Sequence, residues 1–445
     1  MKSIKKKLAI LLCVCLVWQT NPISYAATQM ATAEQTTSNQ NPEAATSSDI
    51  LATVDSEDED GDWTERDGEL LDDRMTPSNA SLAGTIDLDV ELYKEVWGTE
   101  TLDQLAYLEV VCFGDCTLKT KEKVIIGSLT VNGDLEIDAG SKEIIINQVT
   151  WLTGTVTMKG KVTLNGSVQT IGQECEMIFE SNCNVKIAEP VTLDNMACKS
   201  SSKVEMEQAY IKNLDVPGNV NLTGGTGNIT IAQVNWSSGN LELNGNVIFE
   251  GDVNVCEGGG HGEFILKDQC NVVINGDLNM LLSTAGQRVN LDCQKGSRLT
   301  VYGDVRGRKF GGGWAGYWYA NIHMNGELTI WGNFFNDARE VFMEEESAYV
   351  TIYGDYTQQM GPGWLGIMMG EDSFLTAGTL EVKGDYLYDS MGSANFLQGT
   401  HTTILSGDEK QTVYGLLKNV VVRNTSDEGV FFQSFVDTGT FYGGT

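Results

Sequence analysis

The sequence predicts an all-β chain: a single-stranded parallel β-helix (β-solenoid) with an N-terminal cap, preceded by a signal peptide and a disordered acidic linker. Three observations carry that expectation. A seven-residue pattern recurs, clearest as Leu299-Thr300-Val301-Tyr302-Gly303-Asp304-Val305, with copies at 129–135, 272–278, 328–334, 350–356 and 380–386 and looser ones at 162–168 and 241–247. Its marker glycines are Gly133, Gly166, Gly245, Gly276, Gly303, Gly332, Gly354 and Gly384. Most successive gaps lie between 22 and 33 residues, the spacing of a repeat architecture. The gap from Gly166 to Gly245 is longer, and degenerate copies at 219–222 and 228–231 fill it. Within the copies, apolar residues alternate with period two, the signature of strands.

Alternation assigns the faces. Cys270, Val272 and Ile274 share one side, as do Ser297/Leu299/Val301, Gly326/Leu328/Ile330, Ala348/Val350/Ile352 and Gly127/Leu129/Val131. Each coil offers a small residue and then two aliphatic ones to the same inward column. Burying each aliphatic side chain stabilises by about 1.5 to 3 kcal/mol, provided a neighbouring coil covers it, so coils stabilise one another. The marker Gly is expected to turn the chain tightly into the next face, and the Asp or Asn after it to bond nearby amides. An antiparallel sandwich also uses short strands, but gives no reason for this fixed order at regular spacing.

Taken in order, residues 1–26 read as a secretory signal. Lys2, Lys5, Lys6 and Lys7 precede the apolar run 8–17, and Ser24-Tyr25-Ala26 forms a small-residue cleavage site. The run is too short for a permanent membrane anchor, and neither Cys13 nor Cys15 follows a small residue as a lipoprotein site requires. Residues 27–83 turn to Thr, Gln, Asn, Ser and Ala and then to an acidic block around 55–62, a composition that cannot bury enough apolar surface to order itself. Residues 84–117 fit the repeat poorly and are assigned to the cap, with a short amphipathic helix at 101–108, because a solenoid must cover its first coil. The solenoid repeats occupy 118–445.

The C-terminal stretches 399–413, 417–426 and 429–432, with the preceding LxVxGDY copies, resemble the repeat regions of large secreted or surface β-solenoid proteins of Gram-positive bacteria. More distantly they resemble filamentous-haemagglutinin-like passengers of secreted adhesins. The resemblance covers roughly the second half of the chain and implies a scaffold with no catalytic residue carried over. The sequence ends at Thr445 partway through another coil, with no cap and no wall-sorting motif, which suggests a shortened member or fragment.

Removing the four signal lysines takes the net charge from −32 to −36. Such a chain repels nucleic acid and anionic membranes, which excludes both as expected partners and leaves glycans or a surface protein. Eight cysteines remain after the signal. Cys112 and Cys116 are placed to close a small disulfide loop, whereas Cys183 and Cys270, each opening a Cys-Asn-Val run, suit small buried core positions. No cysteine spacing matches a zinc site, and the chain has only three histidines.

Three sets of residues are candidates for function. The residue before the marker Gly is Asn132, Asn165, Asn244 and Asn275 in the early copies and Tyr302, Trp331 and Tyr353 in the later ones, an outward aromatic column if the coils are consecutive. Glycine-rich stretches at 311–319 and 361–369 add Trp314, Trp318 and Trp364. Together these suit sugar stacking or a protein partner; the alternative is that the rings pack on one another. The residue after the Gly is most often Asp, including Asp277, Asp304 and Asp355. Carboxylates stacked one rung apart repel by roughly 1 kcal/mol per pair even in water, which a bridging Ca2+ would relieve; turn geometry alone also accounts for them. Finally, Gly260-His261-Gly262 beside Glu263 resembles an element of polygalacturonase-like hydrolases, but the paired aspartates and other motifs of that chemistry are missing. Arg306 and Arg308 near Asp304 form the only lyase-like cluster. The sequence thus points to an exported, non-catalytic structural or adhesive module, with a polysaccharide-binding or polysaccharide-cleaving protein using residues 302–364 as the alternative.

Overall fold

A computed structural model describes residues 84–88, 109–172, 175–257, 259–282, 287–309, 321–337, 340–359, 374–389 and 399–441, all within the unit Ser81–Thr445. The signal segment, the linker, the helix expected at 101–108, and Trp314, Trp318 and Trp364 lie outside the described residues. The described chain is a β-solenoid without helix, and its strand pairings are parallel, not the antiparallel ladders of a sandwich.

Three faces stack coil upon coil. Face A includes Gly262–Leu266, Val289–Cys293, Ile322–Met324 and Val341–Met343. Face B includes Asn271–Ile274, Arg298–Val301, Glu327–Ile330, Tyr349–Ile352, Thr379–Val382 and Thr402–Leu405. Face C includes Leu278–Leu282, Val305–Lys309, Phe334–Asn336, Tyr356–Gln359 and Tyr386–Asp389. The stretches 310–320 and 360–373 each connect a face C strand to a face A strand.

The register puts like on like. On face B, Val272, Leu299, Leu328, Val350 and Leu380 are successive partners, one per rung, as are Ile274, Val301, Ile330, Ile352 and Val382. All ten are buried. The small residues ahead of them are buried too: Cys270, Ser297 and Ala348 each donate their amide to the carbonyl three residues earlier, at 3.0 Å, so the same small-residue turn recurs in these three coils. Gly326 fills the same place, where a Cβ would lie 2.5 Å from the Ser297 carbonyl oxygen. The inward small-large-large order read from the sequence is therefore the packing unit of the core.

Two features differ from the sequence reading. Parallel stacking already holds within the stretch assigned to the cap: Gly84–Leu88 pairs with Cys116–Thr120, and Glu109–Phe113 pairs with Ser128–Asn132. The looser copies at 162–168 and 241–247 also belong to a different column. Val162 and Leu164 pair with Val185 and Ile187, and Leu241 and Leu243 with Phe264 and Leu266, all on face A. Gly166 and Gly245 thus turn the chain from face A to face B, whereas Gly276, Gly303, Gly332, Gly354 and Gly384 turn it from B to C. All faces share period-two alternation, so a local apolar-Asn-Gly run does not record which corner it occupies.

Candidate functional site

The corner between faces B and C is built from Gly-Asp pairs that stack as a ladder. The amide of Gly332 donates to the carbonyl of Gly303, and that of Gly354 to Gly332, each at 3.0 Å. The glycine is required by close approach more than by its turn: a Cβ on Gly332 would lie 2.2 Å from Oδ1 of Asp304 in the coil below. That oxygen is fixed in turn by the next amide. Oδ1 of Asp277 accepts from the Asp304 amide, and Oδ1 of Asp304 from the Asn333 amide, both at 2.7 Å. Asn333 accepts from Asp355 at 2.9 Å, and Asp355 from Asp385 at 2.7 Å. Asn substitutes for Asp here because the ladder uses one amide-accepting oxygen and not the charge.

The second oxygens of Asp277 and Asp304 both meet the guanidinium of Arg306, which bridges the two carboxylates. Arg306 thus places a positive charge between these rungs, where the sequence allowed either a bridging Ca2+ or turn geometry alone. Among the described residues, no group of three or more His, Cys, Asp or Glu side chains is arranged to hold a metal ion. Asp355 has Asn333 one rung below and Asp385 one rung above.

The aromatic column stands at the outer margin of face B, next to that corner. Tyr302 and Trp331 stack with centroids 6.1 Å apart and planes 12° apart; Trp331 and Tyr353 stack at 4.1 Å and 13°. The column ends on Lys383, whose Nζ lies 3.7 Å from the Tyr353 ring centroid. Tyr302 is 54% exposed and Trp331 46%. The rungs are consecutive and the side chains outward, but the rings face one another along the axis. Trp331 is sandwiched on both faces, so it presents an edge to solvent and cannot take a sugar flat against its ring.

Face A brings together residues that sequence spacing did not. Ile265, Asp292 and His323 are partners on successive rungs, and Glu263 lies opposite Asn290. Burial, and secondarily Asp292, holds the Glu263 carboxyl above the usual carboxylate range, with His323 and a hydrogen bond to Asn290 acting the other way. Asp292 accepts from Gln294 at 3.0 Å, and His323 stacks on Phe342 at 4.3 Å. Their separation along the chain, across residues 283–286 and 310–320, hid this convergence; the shared position in each rung is the signal that would have found it. His261 of the Gly-His-Gly element takes a structural part: its Nδ1 accepts the Arg288 amide at 3.0 Å.

The eight described cysteines are all buried. Cys112 and Cys116, expected as a disulfide, are neighbouring thiols joined by a hydrogen bond, and burial, with Cys116 beside it, pushes the Cys112 thiol well up. Cys183 and Cys270 occupy the small core positions assigned to them.

Comparison with known proteins found no matching family model, no matching curated protein and no matching solved structure.

Proposed function

We propose that the chain is an exported, non-catalytic structural or adhesive module that presents a stiff binding surface outside the cell. The observation that carries this reading is the use of the polar and aromatic outward side chains to tie rung to rung: the Asp277–Asp304–Asn333–Asp355 ladder, the Arg306 bridge and the Tyr302–Trp331–Tyr353 stack. Such side chains stiffen a surface. Export is supported by the basic, apolar and small-residue segments of residues 1–26.

Of the second reading, a polysaccharide-binding or polysaccharide-cleaving protein, it is cleavage that competes with the module, and cleavage is favoured by the pairing of a protonation-prone Glu263 with Asp292 on face A, since it needs one carboxylic acid and one carboxylate. Incubating the protein with a panel of cell-wall and plant polysaccharides, with and without Ca2+, and assaying newly formed chain ends separates the two. The module reading predicts no new ends on any substrate. New ends that disappear in Glu263→Gln would establish the enzyme reading instead.

A further inference from the structure

The middle of face B holds a feature that neither the ladder nor the ring stack uses. Thr300, Thr329 and Thr351 are register partners on three consecutive rungs and point outward, half-buried. None of their hydroxyls makes a hydrogen bond with a described residue, although Thr side chains elsewhere in the chain, such as Thr120 and Thr226, do. One margin of this row is the ridge of Tyr302, Trp331 and Tyr353. The other is the row of Arg298, Glu327 and Tyr349, two residues to the opposite side. The result is a trough parallel to the solenoid axis, about 13 Å across from margin to margin at four strand residues, floored by hydroxyls repeating about every 4.8 Å.

The trough has a defined end. In the next rung the Thr column is taken by Glu381, whose carboxylate accepts from Tyr349 Oη and from Ser406 Oγ, both at 2.6 Å. Lys383, over the ring of Tyr353, closes the ridge at the same level. Its charge is also distinctive. The two charged residues on its margins, Arg298 and Glu327, pair with each other at 2.9 Å, leaving no net charge on the floor and margins of the trough in a chain that carries −32 overall. Of the exposed large apolar side chains among the described residues, Tyr302, Trp331 and Tyr349 fall here on consecutive rungs.

We infer that this trough binds a neutral, extended polysaccharide chain lying parallel to the solenoid axis. This deepens the reading of a surface-presenting module by naming its partner. An acidic polymer is repelled by the chain as a whole, and a basic one finds no net negative charge here to recognise. A neutral glycan matches both surfaces: its hydroxyls meet the open Thr hydroxyls at each rung, and its apolar C–H faces lie against the edges of the aromatic ridge. Because the rings are stacked on one another, the ridge acts as a preorganised wall that loses little side-chain freedom on binding.

Native gel electrophoresis of the full chain through hydroxyethylcellulose, galactomannan or polygalacturonate tests this. The wild type is expected to be retarded by at least one of the two neutral polymers and not by polygalacturonate. Thr329→Glu, which places on the floor the residue type that the column already holds at Glu381, is expected to weaken retardation at least tenfold, as is Trp331→Ala. Thr329→Val, which keeps the shape and removes the hydroxyl, is expected to weaken it less, and Thr192→Val, the same change on the same face several rungs below the trough, to leave it unchanged. Absence of retardation by both neutral polymers, retardation by polygalacturonate alone, or retention unaffected by Thr329→Glu would overturn the inference. Those results leave the module reading standing, since that reading fails on new chain ends and not on the choice of partner.

Discussion

The backbone amide of Asp304 donates to Oδ1 of Asp277, one coil below, at 2.7 Å. This bond reproduces between coils what a turn-capping Asp does within a single turn, and it repeats up the corner through Asn333, Asp355 and Asp385.

Asp277→Ala removes the acceptor for the Asp304 amide and one of the two carboxylates facing Arg306. The expected cost is about 1 to 3 kcal/mol, seen as a lower urea midpoint. Asp277→Asn keeps Oδ1, as Asn333 does in the same column, and is expected to cost well under half as much. Equal losses from the two variants would show that the ladder depends on charge and not on geometry.

Gly332→Ala is expected to destabilise by about 1 to 3 kcal/mol, because its Cβ would lie 2.2 Å from Asp304 Oδ1 and 2.6 Å from the Gly303 carbonyl oxygen. Gly251→Ala is the matched control. Its Cβ would meet only the Ala232 carbonyl oxygen, at 3.7 Å, so thermal unfolding should scarcely change. If both variants unfold at the wild-type temperature, the close stacking of Gly-Asp corners is wrong.

In the core of face C, Phe334, Tyr356 and Tyr386 stack at 5.1 Å spacing, and the buried hydroxyls of Tyr356 and Tyr386 find no hydrogen-bond partner among the described residues. Burying such a group costs about 1 to 3 kcal/mol. Tyr356→Phe and Tyr386→Phe should therefore be neutral or stabilising in denaturant titrations. A loss of more than about 1 kcal/mol in either would reveal a partner for that hydroxyl.

His401 is buried, with Nδ1 3.0 Å from the Ala377 carbonyl oxygen and Nε2 3.3 Å from the Thr403 hydroxyl. Burial pushes its pKa down to about 4, with the Ala377 hydrogen bond opposing. The unfolded chain takes up this proton near the ordinary value of about 6.5, while the folded chain resists it. Its contribution to stability is thus fully present above about pH 6.5 and is lost progressively as pH falls toward 4. The loss is on the order of 3 kcal/mol for this group. His401→Gln should flatten that part of the pH–stability curve, and an unchanged curve would place the acid sensitivity elsewhere.

The inward faces of the later coils were legible because Leu299, Leu328, Val350 and Leu380 recur in one local pattern and sit on one column. The corner identity of Gly166 and Gly245 was not, because the three faces impose the same alternation and only pairing between coils separates them. The outward column of Tyr302, Trp331 and Tyr353 was also legible, since the residue before each marker Gly stays in register. Whether those rings offered their faces or covered one another depends on side-chain rotation, which alternation does not encode. Glu263, Asp292 and His323 escaped for a different reason: rung length varies where 283–286 and 310–320 are inserted, so equal positions in the coil lie at unequal distances in the chain.

The scaffold and the trough both rest on face B being stacked in strict one-coil register, and cysteine cross-linking measures that directly. Thr300 and Thr329 are immediate partners, about 4.8 Å apart, within the reach of a disulfide, whereas Thr300 and Thr351 are two rungs apart, beyond it. Under mild oxidation of the folded protein, the pair Thr300→Cys with Thr329→Cys should cross-link rapidly, and Thr300→Cys with Thr351→Cys should remain reduced. Linking of the second pair without the first would contradict the register and, with it, the surface on which the functional account is built.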